Sequence, residues 1–471
     1  MVLTLCCPYS IQSSGGVTDC FLRYIQINSQ DAMYNILIDA YAVSPNWGSE
    51  QGMGWNWVSH LAKYCNLHVI TEGEWRKEIE QSLSAALTNN MDKTVNPTGL
   101  TRQQAERMHF YYLPVSKEIR EMCWNQGTWQ FYLYYERWER RAFEKAKEII
   151  ATCQKVAGEQ IDVVHKLNMI GFREPGYLWK IDTLPFVWGP VGGYGGIPNA
   201  YMKGAGWRSI LKENIKIAIN YLTFRYQPRV RKAIRRSDSI VGAYKETFEA
   251  IRDIYRPDVT LINETGAFID NTSDAHPSDA AEFRLLWVGK YDFGKQLGIA
   301  IQTMCLLKHK KNIHLYVAGS GCPKDVETYT QMVKRLGVEE NVHLLGVVPN
   351  VQTREMMKQM DLLFFTSVYD ATSTVVPEAI SAGLPVVCHD MRGFGALVDD
   401  KIGRKVQPKN PANSIKEFAR IIDHLESHRD IVRELSAGCI EYQKQISWEA
   451  NARKMVAEYE KAITRFQEKN N

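Results

Sequence analysis

Residues 361–387 read DLLFFTSVYDATSTVVPEAISAGLPVV, and this stretch decides which fold the sequence predicts. Its apolar run, Leu362–Phe365, is too short to cross a membrane and is typical of a buried parallel strand. Small polar residues follow, Pro377 and Glu378 then open a short helix, and Pro385 leads into the next strand. Strand, loop, helix and strand in this order predict an open α/β sheet, which binds its ligands at the carboxyl ends of the strands.

Two carboxylates flank the polar loop of this stretch, Asp370 at its start and Glu378 eight positions later. Glu378 lies in the first turn of the predicted helix, where we expect the helix N-terminus to lower its pKa and keep it ionised. An ionised carboxylate accepts both hydroxyls of a ribose, and N–H groups of loop 371–374 hold phosphate oxygens. Asp370 can then reach a sugar hydroxyl beyond those phosphates. A solvated carboxylate and an ordinary helix-start glutamate are the alternative interpretation of the pair.

The stretch resembles the signature of the retaining GT-B glycosyltransferases of family 4, and residues 171–176 and 185–193 resemble the bacterial polysaccharide-assembly branch of that family. That signature is Glu, seven residues, Glu, then Ala and a Gly-Leu-Pro-Val strand, and it matches Asp370, Glu378, Ala379 and residues 383–386. Asp370 stands where the family usually has Glu, so the identity of the donor sugar does not carry over. The resemblance implies two Rossmann-like parallel-sheet domains that face a cleft, with a C-terminal helix crossing back to the first domain.

Length and composition agree with a globular protein of two domains. The chain has 471 residues, of which 45% are hydrophobic and 23% charged, and its net charge of +4 does not argue for nucleic acid. Its ten cysteines show no C-x-x-C pair, which predicts reduced thiols in a cytoplasmic protein. No apolar run of 18 residues is present, so we predict no membrane-spanning helix.

Composition shifts divide the chain into four segments. Residues 1–32 lack regular patterning and are predicted to be a disordered or artefactual extension. Residues 33–270 are predicted to form an acceptor-binding domain, on which helix 447–471 packs. The polar stretch 271–282 is predicted to be a linker, and residues 283–446 are predicted to form the donor-binding domain.

A glycine-rich loop is predicted after the first strand of the N-terminal domain. Gly52 lies in this loop, and its neighbours Glu50 and Gln51 are candidates for acceptor contacts, against the alternative of ordinary loop polarity. Spaced glycines also occur in dehydrogenases, but the sequence lacks a clear acidic residue for the ribose of NAD after the second predicted strand, which weakens that alternative. Glu72 could serve there, so the alternative is not excluded.

His165 and Arg173 are further candidates in the N-terminal half. His165 ends a predicted strand, 162–165, that resembles the family strand whose His lines the cleft; a satisfied structural histidine is the alternative. Arg173 can pair with an anionic acceptor or a phosphate, or it forms a salt bridge with Glu174 or Glu50.

Residues 203–236 are strongly basic and interleaved with apolar side chains. Such a helix is attracted to an anionic membrane surface, and contact with the inner leaflet is one interpretation of it. The other is a helix that packs on its own domain and keeps a solvated basic side. No recognition motif for nucleic acid accompanies the charge.

Two lysines follow the first predicted strand of the C-terminal half. Lys290 and Lys295 can neutralise a diphosphate both while it is bound and as it leaves. In the family pattern Lys295 matches a lysine, whereas Lys290 replaces an arginine. The predicted catalytic residues are His165, Lys290, Lys295 and Asp370. The predicted donor-binding residues are Gly289, Lys290, Lys295, Gly319, Ser320, Asp370, Ala371, Thr372, Ser373, Thr374 and Glu378. The predicted acceptor-binding residues are Glu50, Gln51, Gly52 and Arg173.

The resemblance implies a retaining glycosyltransferase of bacterial cell-surface polysaccharide biosynthesis. Its substrates would be a UDP- or GDP-sugar and a glycan or lipid-linked acceptor, with no tightly bound cofactor and no obligatory metal. The location expected is the cytoplasm, with or without peripheral attachment to the inner membrane. Two alternatives stay open: another GT-B chemistry, such as a phosphorylase or nucleotide-sugar epimerase, and a non-catalytic membrane-associated binding protein.

Overall fold

The computed structural model describes residues 33–124, 128–156, 158–270 and 281–471. The predicted N-terminal extension, 1–32, and residues 271–280 of the predicted linker lie outside the described residues. Within them the chain forms two parallel β-sheets, each covered by helices, as predicted from the alternation of strands and helices.

The first sheet contains seven strands. They are β1 (Asn35–Ala40), β2 (Asn66–Thr71), β3 (Met108–Tyr112), β4 (Val163–Asn168), β5 (Phe186–Val191), β6 (Ser239–Gly242) and β7 (Thr260–Leu261). Their order is β3-β2-β1-β4-β5-β6-β7, and all neighbouring pairs are parallel. Every residue of β1, β4 and β5 is buried. Strands β1 and β5 are mostly apolar, whereas β4 also buries the polar side chains of His165, Lys166 and Asn168.

The helices that precede the second sheet surround the first one. They are α1 (Ser49–Leu61), α2 (Arg76–Leu87), α3 (Arg102–Glu106), α4 (Lys117–Trp124), α5 (Trp129–Cys153), α6 (Trp207–Tyr226), α7 (Pro228–Arg236) and α8 (Lys245–Ile254). The basic stretch 203–236 therefore contains two helices, which separate at Gln227-Pro228 because proline cannot continue the first one.

The second sheet contains six parallel strands. They are β8 (Phe283–Val288), β9 (Ile313–Ala318), β10 (Val342–Gly346), β11 (Leu362–Phe365), β12 (Val386–His389) and β13 (Gly403–Val406), in the order β10-β9-β8-β11-β12-β13. The helices of this part are α9 (Leu297–Leu307), α10 (Pro323–Leu336), α11 (Asn350–Met357), α12 (Val375–Ser381), α13 (Arg392–Leu397), α14 (Pro411–Ser427) and α15 (Arg429–Tyr442).

Both sheets reverse their strand order at one point, between β1 and β4 in the first and between β8 and β11 in the second. The crevice outside the carboxyl ends of the strands at such a point is where open α/β sheets bind ligands. The loops after β8 and β11 carry Lys295 and Asp370, and the connection after β1 leads to Glu50. The topology therefore places several predicted site residues at the two crevices.

A final helix, α16 (Trp448–Asn470), returns to the first domain. Its buried face, which includes Met455 and Tyr459, packs in one apolar cluster with Ile36 and Trp57 of the first domain. The Ser447 hydroxyl accepts the N–H of Ala450 at 3.1 Å and caps the helix, as predicted. No helix among the described residues combines the length and the apolar character that a bilayer crossing requires.

Two local predictions about loops are wrong. Helix α1 begins at Ser49, so that Glu50, Gln51 and Gly52 lie in its first turn rather than in a loop. Helix α12 begins at Val375, two residues before the predicted start at Pro377. In both cases polar or β-branched residues are drawn into a helix because their neighbours are buried against a sheet.

Candidate active site at the junction of the two domains

The loops after β8 and β11 bring Lys295 and Asp370 into contact. Lys295 Nζ forms an ion pair with Asp370 Oδ2, and the two side chains are 17% and 22% exposed. Asp292 fixes the backbone of the lysine by accepting its N–H at 3.0 Å, while Ser367 Oγ accepts the N–H of Asp370 at 3.3 Å. The loops after β8 and β11 thus hold a cation and a carboxylate next to each other at the edge of the crevice.

The glycine turns after β8 and β9 approach each other closely. A Cβ built on Gly319 would lie 1.8 Å from the carbonyl oxygen of Gly289, so only glycine fits there. The N–H of Tyr291 donates to the Ser320 carbonyl at 2.9 Å, which ties the two turns together. Lys290 is exposed at the rim of this pair of turns. The predicted diphosphate-binding residues therefore line one edge of the second sheet.

The polar loop 370–374 has an unusual backbone, because Ser373 adopts a φ of 65°. Glu378 follows it in α12 and is half-buried. Burial raises the pKa of this carboxyl, and the nearby Arg354 and Asn350 only partly oppose the effect. The predicted lowering of its pKa is therefore wrong, because removal from water outweighs the dipole of a seven-residue helix.

The N-terminal residues predicted to contact the acceptor have different environments. Glu50 Oε1 accepts the N–H of Ile170 at 3.2 Å, which joins α1 to the segment after β4, and burial raises its pKa to about 7. Gln51 is half-buried beside it. Gly52 is buried, and an added Cβ would lie 2.1 Å from the Trp47 carbonyl oxygen, so only glycine fits there; its contact with the acceptor stays a prediction.

A carboxyl group that sequence reasoning missed lies opposite loop 370–374. Glu264, on the turn that follows β7, is 7% exposed, and its Oε1 accepts the hydroxyl of Thr372 at 2.5 Å across the two domains. Burial, and then the charge of Glu50, raise its pKa to about 8. Nothing in the sequence around this turn indicates that its glutamate faces Thr372, which is 108 positions away.

His165 is not part of the site, and the prediction that it lines the cleft is wrong. It is fully buried at the third position of β4, not at a strand end. Its Nδ1 lies 2.8 Å from the Tyr459 hydroxyl and its Nε2 lies 2.7 Å from the Gly189 carbonyl, so both ring nitrogens are used. Burial lowers its pKa to about 4, which keeps the ring neutral.

Arg173 lacks the salt bridge that was one interpretation of it. Its guanidinium donates to the hydroxyl of Tyr132 at 2.8 Å and to the Asn220 side chain, both neutral groups. Glu174 pairs instead with Arg229 at 2.8 Å. No carboxylate in the described ranges pairs with Arg173, so its charge is available for an anionic group.

Arg392 is a second residue that sequence reasoning missed, and it joins the two domains. Its guanidinium donates to the carbonyls of Tyr194, at 3.1 Å, and Gly196, at 2.6 Å, in the glycine-rich turn after β5. Next to it, the Asn263 side chain donates to the Gly393 carbonyl at 3.2 Å. These contacts hold the start of α13 and loop 370–374 against the first domain.

Helix α6 exposes an apolar stripe on the same domain. The stripe comprises residues at spacings of three and four: Trp207, Leu211, Ile215, Ile219, Leu222 and Tyr226, each at least 46% exposed. Exposed cations flank it: Lys203, Arg208, Lys212, Arg225, Lys232 and Arg235. The opposite face packs on the domain through Asn220 and Phe224.

Comparison with known proteins agrees with this architecture. Residues 268–445 match the family Glycosyl transferases group 1. A protein of Methanocaldococcus jannaschii named as an uncharacterized glycosyltransferase is 28% identical over 184 residues, or 39% of this chain and 46% of that protein. Lipopolysaccharide glucosyltransferase WaaG of Escherichia coli is 33% identical over 119 residues, or 25% of this chain and 30% of WaaG. The chain thus spans less than half the length of these two relatives.

Two solved structures align along nearly their whole length. A glycosyltransferase of Rickettsia africae has a TM-score of 0.57 at 13% identity, covering 92% of this chain and 99% of that one. HepE of Anabaena, solved in complex with UDP, has a TM-score of 0.53 at 14% identity, covering 90% and 99%. At such low identity these likenesses show the fold. The chain therefore has the GT-B fold, its residues 268–445 are similar to Glycosyl transferases group 1, and it resembles the glycosyltransferases of family 4.

Proposed function

We propose that this protein is a retaining glycosyltransferase that moves a sugar from a nucleotide diphosphate sugar to an acceptor hydroxyl. One observation carries the proposal: Lys295 and Asp370 meet at the point where the second sheet reverses its strand order. A cation for phosphate and a carboxylate for a sugar hydroxyl, side by side at a ligand crevice, fit the two halves of such a donor.

The diphosphate binds between the turns after β8 and β9. Lys295 and the exposed Lys290 supply positive charge, while the close approach of Gly289 and Gly319 holds the two turns side by side at the end of their strands. The charge on Lys295 counts most as the bond breaks, because the leaving diphosphate then gains a negative charge.

The nucleoside and the transferred sugar bind on either side of the diphosphate. Glu378 accepts the two ribose hydroxyls of UDP or GDP, and Ser320 lies beside the nucleotide. Asp370, with N–H groups of loop 371–374, holds the sugar. A ribose bound to Glu378 stabilises the ionised carboxylate, which offsets part of the effect of burial on its pKa.

The acceptor enters from the first domain, where Glu50, Gln51 and Arg173 lie. Its hydroxyl attacks the anomeric carbon on the face from which the diphosphate leaves, so that the configuration is retained. The bond from that carbon to the acceptor oxygen forms as the bond to the phosphate oxygen breaks, and the acceptor proton passes to the leaving diphosphate.

Bacterial cell-surface polysaccharide is the pathway that the names of two relatives support. WaaG is named for lipopolysaccharide, and a Campylobacter jejuni relative, 31% identical over 131 residues, is named for transfer to a diphospho-undecaprenol-linked acceptor. The apolar stripe of α6 with its flanking cations fits an anionic lipid surface, so the reaction would take place at the cytoplasmic face of the inner membrane.

Binding and turnover of UDP-, GDP- and ADP-sugars test the proposal. We expect one donor to bind and to be hydrolysed slowly, and Lys295→Ala and Glu378→Ala each to weaken its binding by about tenfold or more, since hydrogen bonds to charged groups contribute about 1.5–3 kcal/mol. Lys311→Ala is the matched control, because this lysine is 79% exposed and pairs with Glu340 outside the site. Failure of every donor to bind would reject the proposal.

A further inference from the structure

The carboxyl of Glu264 is a buried polar group that the proposed mechanism does not use. Oε1 accepts the Thr372 hydroxyl, but Oε2 is buried and has no hydrogen-bond partner among the described residues. The backbone around it is rigid: Trp57 Nε1 donates to the Glu264 carbonyl at 2.9 Å, and Asn263 Oδ1 accepts the N–H of Thr265 at 3.0 Å. The oxygen is thus held in place without a partner.

An unpaired buried carboxyl oxygen lowers the stability of the fold, because it has lost its hydrogen bonds to water and has formed none in the protein. A contact that served only to join the domains would need one oxygen, and the Thr372 hydroxyl already uses Oε1. The second oxygen belongs to a side chain that already contacts the donor loop 370–374, and it is therefore suited to a ligand bound at that loop.

Glu50 lies about two turns before Trp57 on α1, the helix whose Trp57 donates to the Glu264 carbonyl, and its charge raises the pKa of Glu264. Burial raises the pKa of Glu50 to about 7 and that of Glu264 to about 8, so near neutral pH the pair holds a proton, which lies mainly on Glu264. A protonated Glu264 accepts the Thr372 hydroxyl with its carbonyl oxygen and presents Oε2–H as a donor. The Glu50 carboxylate, with one oxygen on Ile170 N–H, presents the other as an acceptor.

A donor next to an acceptor matches one chemical group in particular, a pair of neighbouring sugar hydroxyls. One hydroxyl oxygen accepts from Glu264, and the other hydroxyl donates to Glu50. We infer that Glu264 and Glu50 bind two hydroxyls of the transferred hexose, so that the first domain contributes to the choice of donor sugar. Glu50 then contacts the transferred sugar, and Gln51 and Arg173 are left for the acceptor. This inference rests on the proposed function, because it needs a nucleotide sugar at loop 370–374.

The test is a binding cycle with the nucleoside diphosphate, its hexose conjugate, and conjugates that lack one hydroxyl each. In the wild type we expect removal of the hydroxyl that faces Glu264 to weaken binding about tenfold, the effect of one hydrogen bond in a buried site. Glu264→Met keeps the volume of the side chain but neither oxygen. This variant should bind the full conjugate about tenfold more weakly than the wild type does, and removal of the hydroxyl that faces Glu264 should weaken its binding no further. The affinity for the bare nucleoside diphosphate should stay within about twofold.

Three further variants separate sugar binding from domain contact. Glu264→Gln keeps a carbonyl for Thr372 and offers an N–H donor, so it should retain the wild-type preference. Glu50→Gln replaces the acceptor by a donor and should lose discrimination at the neighbouring hydroxyl. Thr372→Val breaks the same contact between the domains but leaves both carboxyls, and should still respond to the missing hydroxyl.

Two results would overturn the inference in distinguishable ways. If the wild type binds the conjugate but Glu264→Met weakens the bare diphosphate and the conjugate equally, as Thr372→Val does, Glu264 only joins the domains and the proposed function stands. If the wild type binds no nucleoside diphosphate at all, the proposed function and the inference both fail.

Discussion

At the scale of single residues, contacts with a ligand can replace the ion pair between Lys295 and Asp370 with little loss of folding free energy. Both side chains keep about a fifth of their surface in water, and ion pairs near the surface contribute only about 0–1 kcal/mol to stability. A diphosphate can therefore take over the lysine without a large loss of folding free energy. Asp370 is then released to accept a sugar hydroxyl, so one contact sets both charges in position.

His165 behaves in the opposite way, because its two hydrogen bonds are fully buried. We expect His165→Leu to lower the free energy of unfolding by about 3 kcal/mol, since it leaves the Tyr459 hydroxyl and the Gly189 carbonyl without partners. Urea unfolding at pH 7.5 measures this, and the affinity for the nucleotide sugar should not change.

The matched variant for His165 is Tyr459→Phe, which removes one of the two bonds and should cost about 1 kcal/mol. A loss of donor or acceptor binding in His165→Leu at unchanged stability would contradict the structural role and return His165 to the site.

At the scale of elements, a strand was predictable where burial on both faces makes its sequence apolar throughout: Leu362–Phe365 was predicted with its observed bounds. Strand β4 was predicted as 162–165 but extends to Asn168, because its second half buries polar side chains. The helix starts at Ser49 and Val375 were not predicted, since polar first turns resemble loops in sequence. Arg392 and Glu264 were missed for another reason: their partners Tyr194 and Thr372 lie far away in the chain, and local patterns contain no such information.

The exposed stripe of helix α6 leads to a prediction about membrane binding. We expect the protein to sediment with vesicles that contain anionic lipid, and Leu211→Ser with Ile215→Ser to reduce the bound fraction severalfold, because both side chains lie at the centre of the exposed stripe. High salt should weaken binding as well, because it screens the attraction between the flanking cations and the anionic lipid.

The control for α6 is Leu306→Ser, which removes a comparably exposed leucine, at 48%, from the second domain. Equal loss in both variants, or binding to neutral and anionic vesicles alike, would speak against contact through this stripe.

At the scale of the whole molecule, the raised carboxyl pKa values link stability to pH. The folded pKa of Glu264, about 8, lies above its ordinary value of 4.5, so its contribution is fully present below pH 4.5 and is lost as pH rises through 8. Between pH 6.5 and 8 the folded chain holds a proton there that the unfolded chain has released. The pKa values of Glu50 and Glu174, both raised to about 7, change stability with pH in the same direction.

We therefore expect the free energy of unfolding to fall as pH rises from 6.5 to 8, by up to about 1.4 kcal/mol per pH unit for each retained proton. Glu264→Gln should make this slope shallower, and Glu118→Gln should not, because Glu118 is exposed on α4. Unfolding curves at several pH values measure the slope; equal slopes in all three proteins would show that Glu264 holds no extra proton.

The return of α16 to the first domain also bears on the order in which the chain can mature during synthesis. Tyr459 and Met455 fill the core beside β1, yet the ribosome makes them some four hundred residues after that strand. The second sheet is complete once β13 and its helices have been synthesised, while the first domain still lacks the helix α16 that packs on it. The C-terminal domain can therefore finish folding first, and the N-terminal domain keeps an apolar face exposed until α16 has been made.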